Sequence, residues 1–264
     1  MVLFIILVVL ALSLVLTKLY VVLTHSICKS NVCLLGKTAL VTGGNAGIGY
    51  EIVLNLASRG CRVIIADKEH DPNLGEKIFR ETNSTNVVCK HVDLASFKSI
   101  RAFAKEIVDS EEKLNILVNN AGIGSSATVT EDGLGLLKKS SGRIIFTSSL
   151  LSHLNNLTLD NLRFGTDVST YSNSKLCDII AADMFSHKLK EFNVTSNSYH
   201  PWIVATTIFK TSRGQIKTLS MLSFWILVLE YMSLLVGRAY DKKFCEAIWK
   251  ASEELVKLEP HEKI

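Results

Sequence analysis

The sequence predicts an α/β fold with a doubly wound parallel sheet, and two observations carry that prediction. The first is the stretch Thr38 to Gly49, TALVTGGNAGIG. Here an apolar run (Ala39-Leu40-Val41) turns into a glycine cluster (Gly43, Gly47, Gly49) and then opens a helical pattern from Tyr50 to Leu56. A strand that breaks into glycines and then into a helix lets backbone approach a pyrophosphate while the helix N-terminus faces the anion. The spacing, G-x-x-x-G-x-G, is shifted from the G-x-G-x-x-G of ordinary dinucleotide-binding sheets. The second observation is that further short apolar runs follow in order, Cys61 to Ala66, Val87 to Val92, one ending at Leu117-Val118 and one at Arg143 to Phe146. At 264 residues with 48% hydrophobic residues, the chain suits one such domain plus a small appendage.

The appendage comes first. Val2 to Thr17 carries no charge, Lys18 interrupts, and Leu19 to Leu23 continues apolar, so the segment just spans a bilayer if Lys18 snorkels. Residues 1–24 therefore read as a membrane anchor, 25–36 as a linker and 37–264 as the α/β domain. A cleaved signal peptide would need a basic start and a small-residue cleavage site, and neither is present. Lys18, Lys29 and Lys37 all lie on the carboxyl side, so the positive-inside rule puts the domain in the cytosol. Cysteines 28, 33, 61, 89, 177 and 245 form no C-x-x-C pair and no metal spacing, and read as reduced thiols in accord with that compartment. The sequons at Asn83, Asn156 and Asn193 matter only in a lumen. Lys+Arg 29 against Asp+Glu 25, without long basic runs, gives no reason to expect nucleic acid.

Within the domain, Cys61 to Ala66 reads as strand two and ends in Asp67-Lys68. Asp67 lies 18 positions after Gly49, where an acidic residue that binds an adenosine ribose belongs. Val87 to Val92 reads as strand three and leads into Asp93-Leu94. Ser96 then caps a helix whose stripe Ile100, Phe103, Ala104, Ile107 packs on the sheet. Strand four ends in Leu117-Val118-Asn119-Asn120-Ala121-Gly122 and strand five in Thr147-Ser148-Ser149. Tyr171-Ser172-Asn173-Ser174-Lys175 opens a helix after it.

Carrying these four motifs in this order, the chain closely resembles the short-chain dehydrogenase/reductase family, and within it the membrane-anchored retinol dehydrogenase-like group. The resemblance runs from about Gly36 to Pro201 and patchily to Leu258. It implies a Rossmann fold and an NAD(P)-dependent oxidoreductase acting on a lipophilic alcohol or its carbonyl. It implies NAD or NADP held by Gly43, Asn45, Gly47, Ile48, Gly49, Asp67, Asp93 and Asn120, with Tyr171 and Lys175. It also implies residence in the endoplasmic reticulum membrane, and allows a homodimer. In the family the asparagines after strand four tie neighbouring strands together, and the Asn120-Ala121-Gly122 backbone lies against the cofactor. The retinol dehydrogenase group typically has Cys-Arg where this chain has Asp67-Lys68, and prefers NADP. A carboxylate at Asp67 would accept from both ribose hydroxyls and repel a 2′-phosphate, which favours NAD, whereas Lys68 argues the other way.

Removing a hydride from an alcohol carbon requires the hydroxyl proton to leave too, so the site needs a base. A phenol is too weak unless a cation stabilises its phenolate. Tyr171 and Lys175, four apart on one helix face, supply that pair, and Lys175 would also hold the nicotinamide ribose. Ser149 would donate to the substrate oxygen, with Ser148 the alternative. The family also uses an asparagine within Asn-His-x-Gly on the helix between strands four and five, and this chain has none. Only twenty residues separate Gly122 from Arg143. The remnant Glu131 to Lys139 contains Gly133 and Gly135 and allows a turn or two of helix, so this crossover is shortened. His200-Pro201-Trp202 replaces the family's Pro-Gly, and the apolar run Leu219 to Val236 stands where substrate-binding helices belong. Two readings follow. One is an active membrane-anchored oxidoreductase; the other is a catalytically impaired dinucleotide-binding relative, or an incomplete splice form.

Overall fold

The computed structural model describes residues 13, 15–16, 30, 32–69, 71–122, 134–162, 168–201 and 241–256. The chain divides into two compact units, Met1–Val32 and Cys33–Ile264. In the first, Ser13, Val15 and Leu16 are helical and exposed. The rest of the expected anchor lies outside the described residues, as do Lys18, Cys28, Lys29, Glu131 to Gly133, Trp202 and the run Leu219 to Val236. No helix among the described residues is long and apolar enough to cross a membrane.

Among its described residues the second unit holds a six-stranded parallel sheet in the order β3-β2-β1-β4-β5-β6. The strands are β1 (Thr38–Thr42), β2 (Arg62–Asp67), β3 (Val87–His91), β4 (Ile116–Asn119), β5 (Arg143–Thr147) and β6 (Thr195–Tyr199). The helices are α1 (Gly47–Ser58), α2 (Leu74–Thr82), α3 (Phe97–Ser110), α4 (Leu134–Ser140), α5 (Val168–Lys188) and α6 (Lys242–Val256). The order reverses between β1 and β4, the switch point at which doubly wound sheets bind ligands.

Strand alternation explains the layers. On β1 and β2, Ala39, Val41, Val63 and Ile65 face a core with Val53 and Ala57 of α1 and Leu74 and Ile78 of α2. Leu40, Ile64 and Ala66 point the other way, into a core with Ile100 and Ile107 of α3, Leu136 and Leu137 of α4 and Phe185 of α5. Both faces are covered, so these strands read as continuous apolar runs. The α3 stripe expected from spacing is present, and the Ser96 hydroxyl accepts from the Ser99 amide. Where the sequence allowed a turn or two, α4 supplies seven residues. Helix α6 closes over α5 through Cys245 and Ile248 against Leu176 and Ile180, with Trp249 edge-on to Phe185 at 5.2 Å.

Candidate active site

The residues singled out for chemistry lie at or just past the carboxyl end of a strand, in the first turns of α1, or, for Tyr171 and Lys175, on α5, which follows β5 after two short 3-10 turns at Leu150–Leu154 and Leu159–Asn161. Gly43 and Gly47 adopt left-handed backbone, φ 66° and 58°, which lets the chain curl from β1 into α1 without a Cβ penalty. Gly49 is fixed by packing instead: a Cβ there would stand 2.1 Å from the Gly43 carbonyl oxygen and 2.5 Å from Asn120 Nδ2. The N-cap of α1 is Ala46, which has no side chain to cap the first-turn amides. These amides and the glycine turn fit an anionic pyrophosphate. Ile48 sits half-buried in that first turn.

At the end of β2, Asp67 Oδ2 accepts from the Asn45 amide at 3.4 Å and Oδ1 from the Glu69 amide at 3.3 Å. Asn45 Nδ2 donates to the Glu69 carbonyl, which closes the corner. Lys68 pairs with Asp93 at 3.0 Å. That contact and the Ala95 amide hold the Asp93 carboxyl below the usual carboxylate range, the amide contributing more.

Asn120 ties three strand ends together. Its amide donates to Thr42 Oγ1 at 3.0 Å, its Nδ2 to the Thr42 carbonyl at 3.1 Å, and its Oδ1 accepts from Thr147 Oγ1 at 3.4 Å. Thr147 Oγ1 also lies 3.1 Å from the Tyr199 hydroxyl. The chain from β1 through β4 and β5 to β6 is thus linked at the rim of the site.

Lys175 is 5% exposed. Its ammonium donates to the Thr147 carbonyl at 2.8 Å and to Asp178 Oδ2 at 2.9 Å, and lies 5.8 Å from the Tyr171 ring centroid. Burial pushes the Asp178 carboxyl up, and Lys175 offsets part of that rise. The backbone at Gly122 passes close by, since a Cβ there would lie 3.5 Å from the ammonium. Ser148 is buried and donates to the Lys175 carbonyl at 2.7 Å, so its hydroxyl is committed to the helix. Ser149 is half-buried at the end of β5, and its Oγ accepts from the Leu151 amide at 3.2 Å. The geometry thus joins Asn120, Thr147, Lys175 and Tyr171 at one edge of the switch point, with Asp67, Asp93 and Asn45 at the other. Sequence reasoning overlooked Asp178. The available signal was a single charge inside the apolar run Leu176 to Ile180, three residues after Lys175 and so on the same helix face.

The family model for short chain dehydrogenases matches residues 37–134. Retinol dehydrogenase 11 of Mus musculus is 36% identical over 229 aligned residues, covering 76% of this chain and 72% of that protein. The chain belongs to the short-chain dehydrogenase/reductase family. Retinol dehydrogenase 13 of Homo sapiens is similar to the same degree, 35% identical over 245 residues, covering 81% of this chain and 73% of that one. Among solved structures, the Pseudomonas aeruginosa RhlG/NADP active-site complex superposes with a TM-score of 0.56 at 21% identity, covering 83% of this chain and 89% of that one. The 3-ketoacyl-(acyl-carrier-protein) reductase from Brucella melitensis complexed with NADH gives a TM-score of 0.52 at 20% identity, covering 67% and 80%. At such identity the likeness speaks for the fold. As a short-chain dehydrogenase/reductase with retinol dehydrogenase relatives, the protein is an oxidoreductase of a family that works on alcohols and carbonyls with NAD(P).

Proposed function

We propose that this enzyme interconverts a lipophilic alcohol and its carbonyl, with Tyr171 transferring the proton, Lys175 stabilising the phenolate and Ser149 donating to the substrate oxygen. The observation that carries this reading is the buried Lys175 ammonium, fixed to the end of β5 beside the Tyr171 ring. In the oxidative direction the Tyr171 phenolate accepts the hydroxyl proton, and the positive charge beside it favours the charged form. The bound dinucleotide supplies hydride acceptance or donation. Gly43, Gly47, Gly49 and the α1 amides would hold its pyrophosphate, Asp67 and Asp93 its adenosine end, and Asn120 and Lys175 its nicotinamide end. Ser148, whose hydroxyl is taken by the Lys175 carbonyl, is the weaker candidate for the substrate contact.

Asp67 favours NAD over NADP, because its carboxylate would repel a 2′-phosphate and the nearest lysine in sequence, Lys68, is paired with Asp93. The names of the relatives support a retinoid as the first substrate to try. A membrane anchor at residues 1–24, with the domain in the cytosol, rests on the apolar segment and the lysines that follow it. Endoglycosidase-sensitive sugar on Asn83, Asn156 or Asn193 in cell-expressed protein would reverse that orientation. The impaired reading is supported by α4, a seven-residue helix without the family's asparagine.

The test is retinol oxidation and retinaldehyde reduction by the full purified chain with NAD(H) and NADP(H). Slow turnover is expected, about 10² to 10⁴ below that of a complete site for one missing acid–base group, and Tyr171→Phe should abolish it. Dissociation constants should favour NAD. Activity indifferent to Tyr171→Phe would overturn the site, and tighter NADP binding would overturn the cofactor preference.

A further inference from the structure

The Lys175 ammonium has three donor hydrogens, and two of them are engaged inside the protein, by the Thr147 carbonyl and the Asp178 carboxylate. Asp178 is itself only 5% exposed. A buried carboxylate is tolerated only where a partner and hydrogen bonds compensate it. Its position, one turn along α5 from Lys175, puts a carboxylate 2.9 Å from the cation that would stabilise the Tyr171 phenolate. Lys175 and Asp178 thus form a buried ion pair, and what Tyr171 experiences is the field of the pair.

We propose that Asp178 is a positioning residue: its carboxylate holds the Lys175 ammonium against the end of β5 and offsets part of that ammonium's charge at Tyr171, so the pair sets the pH at which Tyr171 exchanges its proton. This rests on the reading of Tyr171 as the proton-transferring group.

Other titratable groups around α5 are distinct from this one. On α5 itself, burial and then the Asp178 charge push the Cys177 thiol up to about 12. The turn after β5 brings His153, held below the ordinary histidine range by burial and then by His200. Tyr199 of β6 reaches Thr147, whose carbonyl holds Lys175. Cys245 of α6 is raised chiefly by burial. On β5 the titratable group is Arg143, at the strand end opposite Thr147. Substituting Asp178 therefore changes one charge beside Lys175, removes the lesser of the two causes that raise the Cys177 thiol, and leaves the other groups in place.

The test is an ultraviolet titration of phenolate absorbance in the ligand-free full chain and in Asp178→Asn, each with a Tyr171→Phe version subtracted. The asparagine keeps the shape and an acceptor oxygen for Lys175 but removes the negative charge. The Tyr171 transition should fall by about one pH unit, a tenfold change in phenolate fraction, as expected when one nearby charge is removed. The rising limb of kcat/KM for retinol oxidation should move with it. A transition that stays put or moves up overturns the proposal.

If Asp178→Asn does not fold, nitrogen-15 lysine NMR of the unsubstituted protein decides. The Lys175 ammonium should exchange its protons far more slowly than surface lysines, and exchange at the surface rate overturns the positioning. Turnover that survives Tyr171→Phe would instead sink the underlying reading. An enzyme that needs Tyr171 but whose titration ignores Asp178→Asn sinks only the role of Asp178.

Discussion

The two halves of the sheet are built of different materials. In β1 and β2 the buried positions are almost wholly apolar, and helices α1, α2 and α3 cover them with stripes of Val, Leu, Ile and Ala. In the half formed by β5, α5 and β6 the buried set includes Thr147, Ser148, Ser152, Thr170, Ser172 to Lys175, Asp178 and Ser196, against Thr38, Thr42 and Asn115 elsewhere. The first half is held mainly by packing, whereas the second adds to its own apolar core, Ile144, Phe146, Leu176, Ile180 and Phe185, the hydrogen bonds of Thr147, Ser148 and Asn173 and an ion pair. Packing loses stability in proportion to the volume removed or forced in. A buried polar network fails when one partner is lost, because the other keeps its desolvation penalty. Thus the half that would hold the cofactor can be rigid and plain, whereas the half that would move protons keeps charged groups buried at a cost in stability.

The sharpest way to break this comparison is Lys175→Met. It leaves the Asp178 carboxylate buried without its cation, and stability measured by urea denaturation at pH 7 should fall by about 3 to 5 kcal/mol. Adding Asp178→Asn should recover most of that loss. The pH dependence has a definite sign. The Asp178 carboxyl is raised by burial, so the folded chain holds this proton more tightly than the unfolded chain. The contribution to stability is present below the ordinary carboxylate range and is lost as pH rises through the raised folded value. In Lys175→Met the offset from the ammonium is gone, so the fall in stability from acid to neutral pH should steepen. If the single variant is as stable as the double, the pair contributes nothing and the contrast between the halves collapses.

The packed half is probed by Gly49→Ala. The added methyl would meet the Gly43 carbonyl and Asn120 Nδ2, both parts of the linkage between β1 and β4. Destabilisation of about 3 kcal/mol is expected, with loss of dinucleotide binding measured by fluorescence titration. Gly75→Ala is the control, since a Cβ there meets nothing within 4 Å in the first turn of α2. It should stabilise by about 0.5 kcal/mol through helix propensity. Equal effects of the two alanines would show that the glycine turn is not close-packed.

The same contrast explains what could be read from the sequence. Strands β1 and β2 were legible because burial on both faces demands apolar runs, the half-buried edge strand β3 only through Val87 and Val88 at its start, β4 and β5 through the motifs that end them, and α3 because Ser96 and its stripe announce a cap and a period. Strand β6, TSNSY, was not: it has no apolar run, and its place comes from pairing with β5, Phe146 opposite Ser198 and Thr147 opposite Tyr199. The glycine turn, Asn120, Tyr171 and Lys175 were legible as ordered motifs. Asp178, Thr42 and Thr147 were not, because their roles arise from contacts between elements distant in sequence, or from a burial that spacing alone does not reveal.

The smallest expected effect on cofactor binding lies back in the first half, at Ser96. Its hydroxyl accepts from the Ser99 amide at 3.3 Å, capping α3, and Ser99 Oγ in turn accepts from the Asp93 amide at 3.0 Å. Ser96→Ala leaves one first-turn amide without its side-chain partner, which costs about 1 kcal/mol. The change occurs at the surface end of a helix anchored by Ile100, Ala104 and Ile107, so the apolar face stays seated. The Asp93 loop keeps its own bonds to Lys68, Ala95 and Ser99. Cofactor affinity should therefore change by less than about twofold, well inside the 1.4 kcal/mol that a tenfold change would need. A loss of affinity much larger than that, at unchanged fold, would mean that the α3 cap is coupled to the adenosine corner, and that the packed half is less independent of chemistry than its apolar core suggests.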